Sequence, residues 1–157
     1  MQEIIYSAKP DIIIGTETWL DNAIPPTEFF PINMFNVFRT DRPPNNKNKT
    51  HGGVLLAITK DFISSEVKEL QTNCEIVWAE INITRTKKSL VGSYYRPPSD
   101  EGTSLEQLEI SLSRVSNITS SHIWLGGDHN LGHIDWSGPS LITGKPDAKH
   151  HLLDITS

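Results

Sequence analysis

The sequence has a single cysteine, Cys74. A disulfide framework is thereby excluded, and so is a zinc site built on cysteine. No apolar run approaches the roughly 20 residues that a bilayer-spanning helix needs. The opening stretch Met1-Gln2-Glu3-Ile4-Ile5-Tyr6 lacks a basic flank followed by a long apolar core, so no secretory signal is expected. Basic excess is missing as well: 14 Lys and Arg stand against 19 Asp and Glu, a net charge of -5. That balance argues against a protein that coats nucleic acid by bulk electrostatics. It leaves room for an enzyme that grips phosphates locally and carries acidic metal ligands. There are no internal repeats and no internal domain boundary. Three Asn-x-Ser/Thr triplets, at Asn48, Asn82 and Asn117, read as chance without a signal peptide.

What is there suits one soluble globular domain. The chain has 157 residues, 36% apolar and 21% charged, enough for a real core. Ile4, Ile5 and Ala8 fall at helical spacing, and Pro10 stops that segment. Asp11 to Thr16 is a short apolar run rich in β-branched residues, a buried strand, and Glu17 sits at its C-terminal end. Residues 21–34, with Pro25, Pro26 and Pro31, form an excursion, and Phe35 to Arg39 suits a strand. Thr40 to His51 is polar and reads as an exposed loop. Arg39, Arg42, Lys47 and Lys49 make this the most basic local stretch, a candidate phosphate contact against the plainer reading of a solvated loop.

Gly52-Gly53 opens the next buried strand, Val54 to Ile58. In Ile76 to Ile83, Val77, Ala79, Ile81 and Ile83 share one face, as in a strand covered more fully on one side. After the polar turn Thr84 to Lys88, the strand Leu90 to Tyr95 stops at Arg96-Pro97-Pro98. This close succession implies antiparallel meanders. Ser104 to Ser116 is the clearest helix, with Leu105, Leu108, Leu112 and Val115 as its apolar stripe. Thr103 and Glu106 have the spacing of a capping box. The helix feeds a buried strand, Ile123 to Leu125, that ends in Gly126-Gly127-Asp128-His129-Asn130, and Asp147 to Ile155 has a helical pattern. The sum is an α/β (α+β) sandwich with a largely antiparallel set of strands.

Three of these strands end in chemically useful side chains: Glu17, Tyr95 with Arg96, and Asp128 with Asn130. Gathered at one sheet edge, Glu17 and Asp128 would offer oxygen donors to a hard cation such as magnesium, which takes few protein ligands and keeps its waters. Asn130 would hold a phosphate oxygen or a carboxylate, and Tyr95 would donate to developing negative charge. Such a group performs metal-assisted attack of water on phosphorus. Each residue also has a structural reading: Glu17 as a turn cap, Tyr95 as a strand aromatic, Asn130 as a turn former.

The residues together resemble the endonuclease/exonuclease/phosphatase superfamily, the DNase I-like fold. The matching pieces are Pro10 to Leu20, Gly52-Gly53-Val54, Tyr94-Tyr95-Arg96-Pro97-Pro98 and Gly126-Gly127-Asp128-His129-Asn130, in that order. With Ile134-Asp135-Trp136, they are most similar to the apurinic-like endonuclease domain that precedes the reverse transcriptase of non-LTR retrotransposons. The resemblance implies a four-layer α/β/β/α sandwich of two mainly antiparallel sheets. It implies a metal site with magnesium (or manganese) on Glu17, Tyr95 at the scissile phosphate, Asp128 orienting or deprotonating water, and Asn130 holding the phosphate and Asp128. The implied partners are DNA and a fused reverse transcriptase; Arg39, Arg42, Lys47, Lys49 and Arg96 are the candidate nucleic-acid contacts. The implied activity is DNA nicking that primes reverse transcription, in the nucleus. Relative to that family, residues 1–157 form one domain lacking the first strand with its Asn and the last strands with Ser-Asp-His. His150 and His151 are no obvious replacement, and His129 stands where the family usually has Phe. Two alternatives remain: a non-catalytic nucleic-acid-binding remnant, and a phosphodiesterase acting on small molecules or lipids.

Overall fold

The computed structural model describes residues 2–43, 51–84, 87–118, 122–131, 134–135 and 140–141. Two sheets carry the fold. The smaller has the order β1-β3-β2, from β1 (Ile12–Thr16), β2 (Phe35–Thr40) and β3 (Val54–Thr59), all antiparallel. The larger has the order β4-β5-β6-β7, from β4 (Ile63–Glu66), β5 (Glu75–Thr84), β6 (Lys87–Tyr95) and β7 (His122–Asp128). Its first three strands form an antiparallel meander, as the short connections require. Helix α2 (Thr103–Val115) then carries the chain back, so β7 runs parallel to β6. Helix α1 (Gln2–Ala8) opens the chain, and β8 (Ile134–Asp135) with β9 (Ser140–Leu141) makes a two-residue ladder.

The core falls into three clusters, and their membership shows how the pieces pack. Val54, Leu56 and Ile58 of β3 meet Val77, Ala79 and Ile81 of β5 with Val91 and Tyr95 of β6, so the two sheets face each other. On the other side of the larger sheet, Ile76, Trp78, Leu90 and Tyr94 pack against Leu105, Leu108 and Val115 of α2. On the smaller sheet, Ile5 of α1 joins Phe30, Phe35, Leu55 and Ala57. β5 is thus covered on both faces around Trp78, which is fully buried, rather than mainly on one. Buried polar atoms pin α2 to this sheet. Trp78 Nε1 donates to Ser111 Oγ at 2.9 Å, Ser111 Oγ donates to the Leu70 carbonyl at 2.6 Å, and the Tyr94 and Ser104 hydroxyls lie 2.8 Å apart.

Three expectations are corrected. The capping box is not made: Gly102 caps α2 without a side-chain bond, and Asp100 does that work by accepting the Gly102 and Ser104 N–H groups at 3.0 Å. The Ile123–Leu125 segment is not buried. Among the described residues β7 is the edge of its sheet, and Ile123 and Trp124 are 48% and 47% exposed. β1 is likewise an edge and half-buried, with Ile14 39% exposed. The physical reason is shared: an apolar run reports that a residue prefers burial, and an edge strand has a neighbour on one side only. The expected helix over 147–155 lies outside the described residues.

Candidate active site

The ends of β1, β6 and β7 come together. Tyr95 closes β6 directly beside Asp128, which closes β7. Its phenol reaches across to β1 and donates to Glu17 Oε1. The Arg96 N–H donates to the Asp128 carbonyl at 2.9 Å, which extends the β6–β7 ladder past its last pair. Asp128 Oδ1 accepts the Asn130 backbone N–H at 2.9 Å, and Asn130 Nδ2 donates to the Arg96 carbonyl at 2.7 Å. The carboxylate of Asp128 is therefore held by the backbone of Asn130, and the Asn130 amide ties the β7 end to the β6 end. Glu17 and Asp128 are exposed, Asn130 is half-buried, and Tyr95 is 3% exposed.

Backbone strain concentrates here. Four described non-glycine residues have positive φ, and three of them are Glu17 (49°), Trp19 (56°) and Asn130 (47°). Such conformations cost of order 1–3 kcal/mol each and persist where the surroundings enforce them. At Glu17 and Trp19 the enforcing partner is the Gly52-Gly53 turn. Its carbonyls accept the Trp19 N–H at 2.9 Å and the Thr18 N–H at 3.3 Å. That explains why Gly-Gly precedes β3: both glycines are left-handed, at φ 66° and 87°.

Electrostatics set the protonation of the donor. Burial first, then the hydrogen bond and charge of Glu17, push the Tyr95 phenol up to about 12, with Arg42 opposing. Tyr95 therefore keeps its proton at neutral pH and acts as a donor. The next tyrosine faces the other way, and His129 lies against it, with ring centroids 5.3 Å apart. Burial lowers the His129 pKa below its usual value, and Asp128 opposes that shift. The position where the resemblance leads one to expect Phe is thus filled by a half-buried imidazole packed as an aromatic.

The expected basic contacts separate. Arg42 lies at the site: its guanidinium is 5.7 Å from the Tyr95 ring centroid and is paired with Glu75. Arg39 is turned inward, donating to the Ile24 and Asp21 carbonyls at 2.8 Å and pairing with Asp41 at 3.2 Å. Arg96 is 5% exposed. It donates to the Asn130 carbonyl at 3.3 Å and to the Asp100 carbonyl, and its Nε lies 3.2 Å from Asp100 Oδ2. Both arginines thus fasten loops to the framework instead of facing a ligand, because their guanidinium forks find carbonyls and carboxylates within the fold. Lys47 and Lys49 lie outside the described residues. Glu75 is the site residue that the sequence reading missed. It stands opposite Tyr95 in the β5–β6 ladder, but the register shifts between Asn82 and Thr84, so counting back from the Thr84–Lys87 pair would land on Ile76 instead.

No family model matches the sequence, and no curated protein does. Solved structures do match. The endonuclease domain of TRAS1, a telomere-specific non-LTR retrotransposon, superposes with a TM-score of 0.65 at 19% identity, over 98% of this chain and 62% of that one. The chain has the DNase I-like fold. An endonuclease/exonuclease/phosphatase family protein from Leptotrichia buccalis shares that fold, with a TM-score of 0.54 at 15% identity over 97% of this chain and 64% of that one. The chain therefore spans less than two thirds of the length of either neighbour. In this DNase I-like frame, no group of three His, Cys, Asp or Glu stands together among the described residues. A cation that keeps most of its water makes a smaller demand. The exposed Glu17 carboxylate, fixed by the Tyr95 hydroxyl, suits it.

Proposed function

We propose that this chain is a metal-dependent phosphodiesterase domain that nicks DNA. One observation carries the reading: the hydrogen-bonded pair Glu17–Tyr95 and the hydrogen-bonded pair Asp128–Asn130 are brought side by side from three strand ends far apart in sequence, where Tyr95 pairs with Asp128 in the β6–β7 ladder. Glu17 would hold magnesium, or manganese in its place. When bound, the ion would polarise the phosphoryl oxygens and offset their charge. Asp128, exposed and anchored through Oδ1, orients a water and takes its proton as the water attacks phosphorus. The P–O3′ bond breaks, the departing O3′ takes a proton from solvent, and a 3′ hydroxyl and a 5′ phosphate remain. Tyr95, held in its protonated form, would turn its single O–H from Glu17 to the charge that develops on phosphorus. Asn130 keeps the strand ends that carry Asp128 and Tyr95 in register.

The same reading gives DNA as the partner and Arg42, beside the Tyr95 ring, as a basic residue close to the reacting phosphate. It places the domain beside a reverse transcriptase, acting in the nucleus, where the released 3′ hydroxyl primes synthesis. Supercoiled plasmid incubated with the chain tests it. Open circles that form with magnesium, vanish with chelator and are extended by a DNA polymerase are expected. Circles that form equally with chelator, or that no polymerase extends, contradict it.

A further inference from the structure

Glu75 opens β5 and is 11% exposed at its side chain. Its Oε1 accepts from Arg42 Nε at 2.6 Å and from Arg42 Nη2, and its Oε2 accepts the Gly53 N–H. This fork fixes the Arg42 guanidinium in a single orientation beside the Tyr95 ring. The packing around it is tight. A Cβ on Gly52 would come within 2.6 Å of Glu75 Oε2 and 2.8 Å of Arg42 Cζ, so the turn is shaped to the ion pair. The carbonyls of those glycines hold the N–H groups of Thr18 and Trp19, directly after Glu17. One carboxylate therefore reaches both halves of the Tyr95–Glu17 contact: the ring through Arg42, and the Glu17 segment through Gly52-Gly53.

We propose that Glu75 is a positioning residue of this site, holding the Tyr95 hydroxyl and the Glu17 carboxylate in register through Arg42 and the Gly52-Gly53 turn. It touches neither substrate nor metal. The inference rests on the phosphodiesterase reading above and concerns how that site is held. In Glu75→Gln the amide carbonyl still accepts the Gly53 N–H, so the turn survives, but the charge that clamps Arg42 is gone. A guanidinium freed at a DNA-binding surface turns to solvent or to a backbone phosphate. Loss of positioning lowers turnover without weakening binding, on the order of tenfold to a hundredfold for a misplacement near 1 Å.

The test has two arms. In plasmid nicking, Glu75→Gln is expected to lower kcat with KM unchanged or reduced. In a Tyr95→Phe background the same substitution should add less than about a twofold loss, because groups that act as a unit are not additive. An equal loss in both backgrounds, or a loss confined to KM, overturns the proposal. The second arm needs no turnover. The chain is labelled with fluorotyrosine, and the Tyr95 fluorine resonance is assigned from its absence in Tyr95→Phe. Glu75→Gln and Arg42→Gln should each move that resonance. A resonance unmoved in both overturns the positioning role, whether or not the wild-type chain nicks DNA. Absence of nicking with the resonance shifted leaves the positioning standing and removes the phosphodiesterase reading instead. Cooperative melting of each variant confirms that it is folded, and Arg42→Gln serves where Glu75→Gln does not fold.

Discussion

Gly127 precedes Asp128, and its replacement by alanine separates two costs that usually come together. Gly127 pairs with Tyr94 in the parallel β6–β7 ladder at φ 140°. Backbone conformations reserved for glycine cost other residues roughly 1–3 kcal/mol. A Cβ would also overlap the Tyr94 carbonyl oxygen and lie 2.8 Å from its carbon and 2.9 Å from the Tyr94 nitrogen. These are backbone atoms of a buried strand, so no side chain can swing aside. The strands must part locally and give up one or two ladder bonds, about 1 kcal/mol each in net terms. The sum for Gly127→Ala is on the order of 2–5 kcal/mol, a large share of the roughly 5–15 kcal/mol that holds a typical domain. Gly102 supplies the control: its φ is 130°, but a Cβ there meets nothing within 4 Å. Gly102→Ala should therefore show the backbone cost alone. Urea unfolding followed by tryptophan fluorescence reads both as midpoint shifts at constant slope. Equal shifts for the two variants would refute the clash argument. Gly127→Ala should also displace Asp128 from Tyr95 and depress nicking, which Gly102→Ala should not.

Three further outcomes follow from buried groups. Ser111→Ala leaves the Trp78 indole N–H without its acceptor and should cost about 1–3 kcal/mol in urea unfolding; an unchanged midpoint would mean the bond contributes nothing. His129 has a folded-state pKa below its ordinary 6.5, so the unfolded chain takes up a proton first. Its contribution is intact above about pH 6.5 and is lost as the pH falls below that value, towards the lower folded-state pKa. Between pH 7.5 and 5.5 the wild-type midpoint should fall further than that of His129→Phe, and parallel falls would contradict this. Burial pushes the Cys74 thiol up to about 11. Its alkylation by iodoacetamide should be slow at pH 7 and rise about tenfold per pH unit, since the thiolate is the reactive form; a rate at pH 7 matching a free thiol would count against that burial.

Much of this architecture is legible in the residues, for physical reasons that differ by element. Val54 to Ile58 is read correctly because a central strand buried on both faces needs a continuous apolar run. Ile76 to Ile83 is read as a strand, but its alternation understates the cover, since Ile76 and Trp78 are buried as fully as Val77 and Ala79. Helix α2 is read correctly because Leu105, Leu108 and Val115 repeat at helical spacing. β4, Ile63–Glu66, goes unread: its sequence, Ile-Ser-Ser-Glu, is that of an exposed edge, with Ile63 74% exposed, and only pairing with β5 makes it a strand. The site divides in the same way. Glu17, Tyr95, Asp128 and Asn130 are visible as polar residues at strand ends. Their joining is not visible, because it depends on which strands are neighbours. Glu75 looks like an ordinary charge before a strand, and only the ladder places it opposite Tyr95. Arg39 and Arg96 carry the opposite lesson: a charge in a polar loop can be consumed by carbonyls of its own fold.

The central claim is that four residues from three strand ends act as one phosphodiesterase centre. Magnesium-dependent relaxation of supercoiled plasmid, measured side by side for the wild-type chain and for Glu17→Gln, Tyr95→Phe, Asp128→Asn and Asn130→Ala, tests it most directly. The account predicts that each single substitution lowers kcat by on the order of a hundredfold or more while the proteins melt as cooperatively as the wild type. Relaxation by the wild-type chain that survives Glu17→Gln and Asp128→Asn undiminished would contradict it.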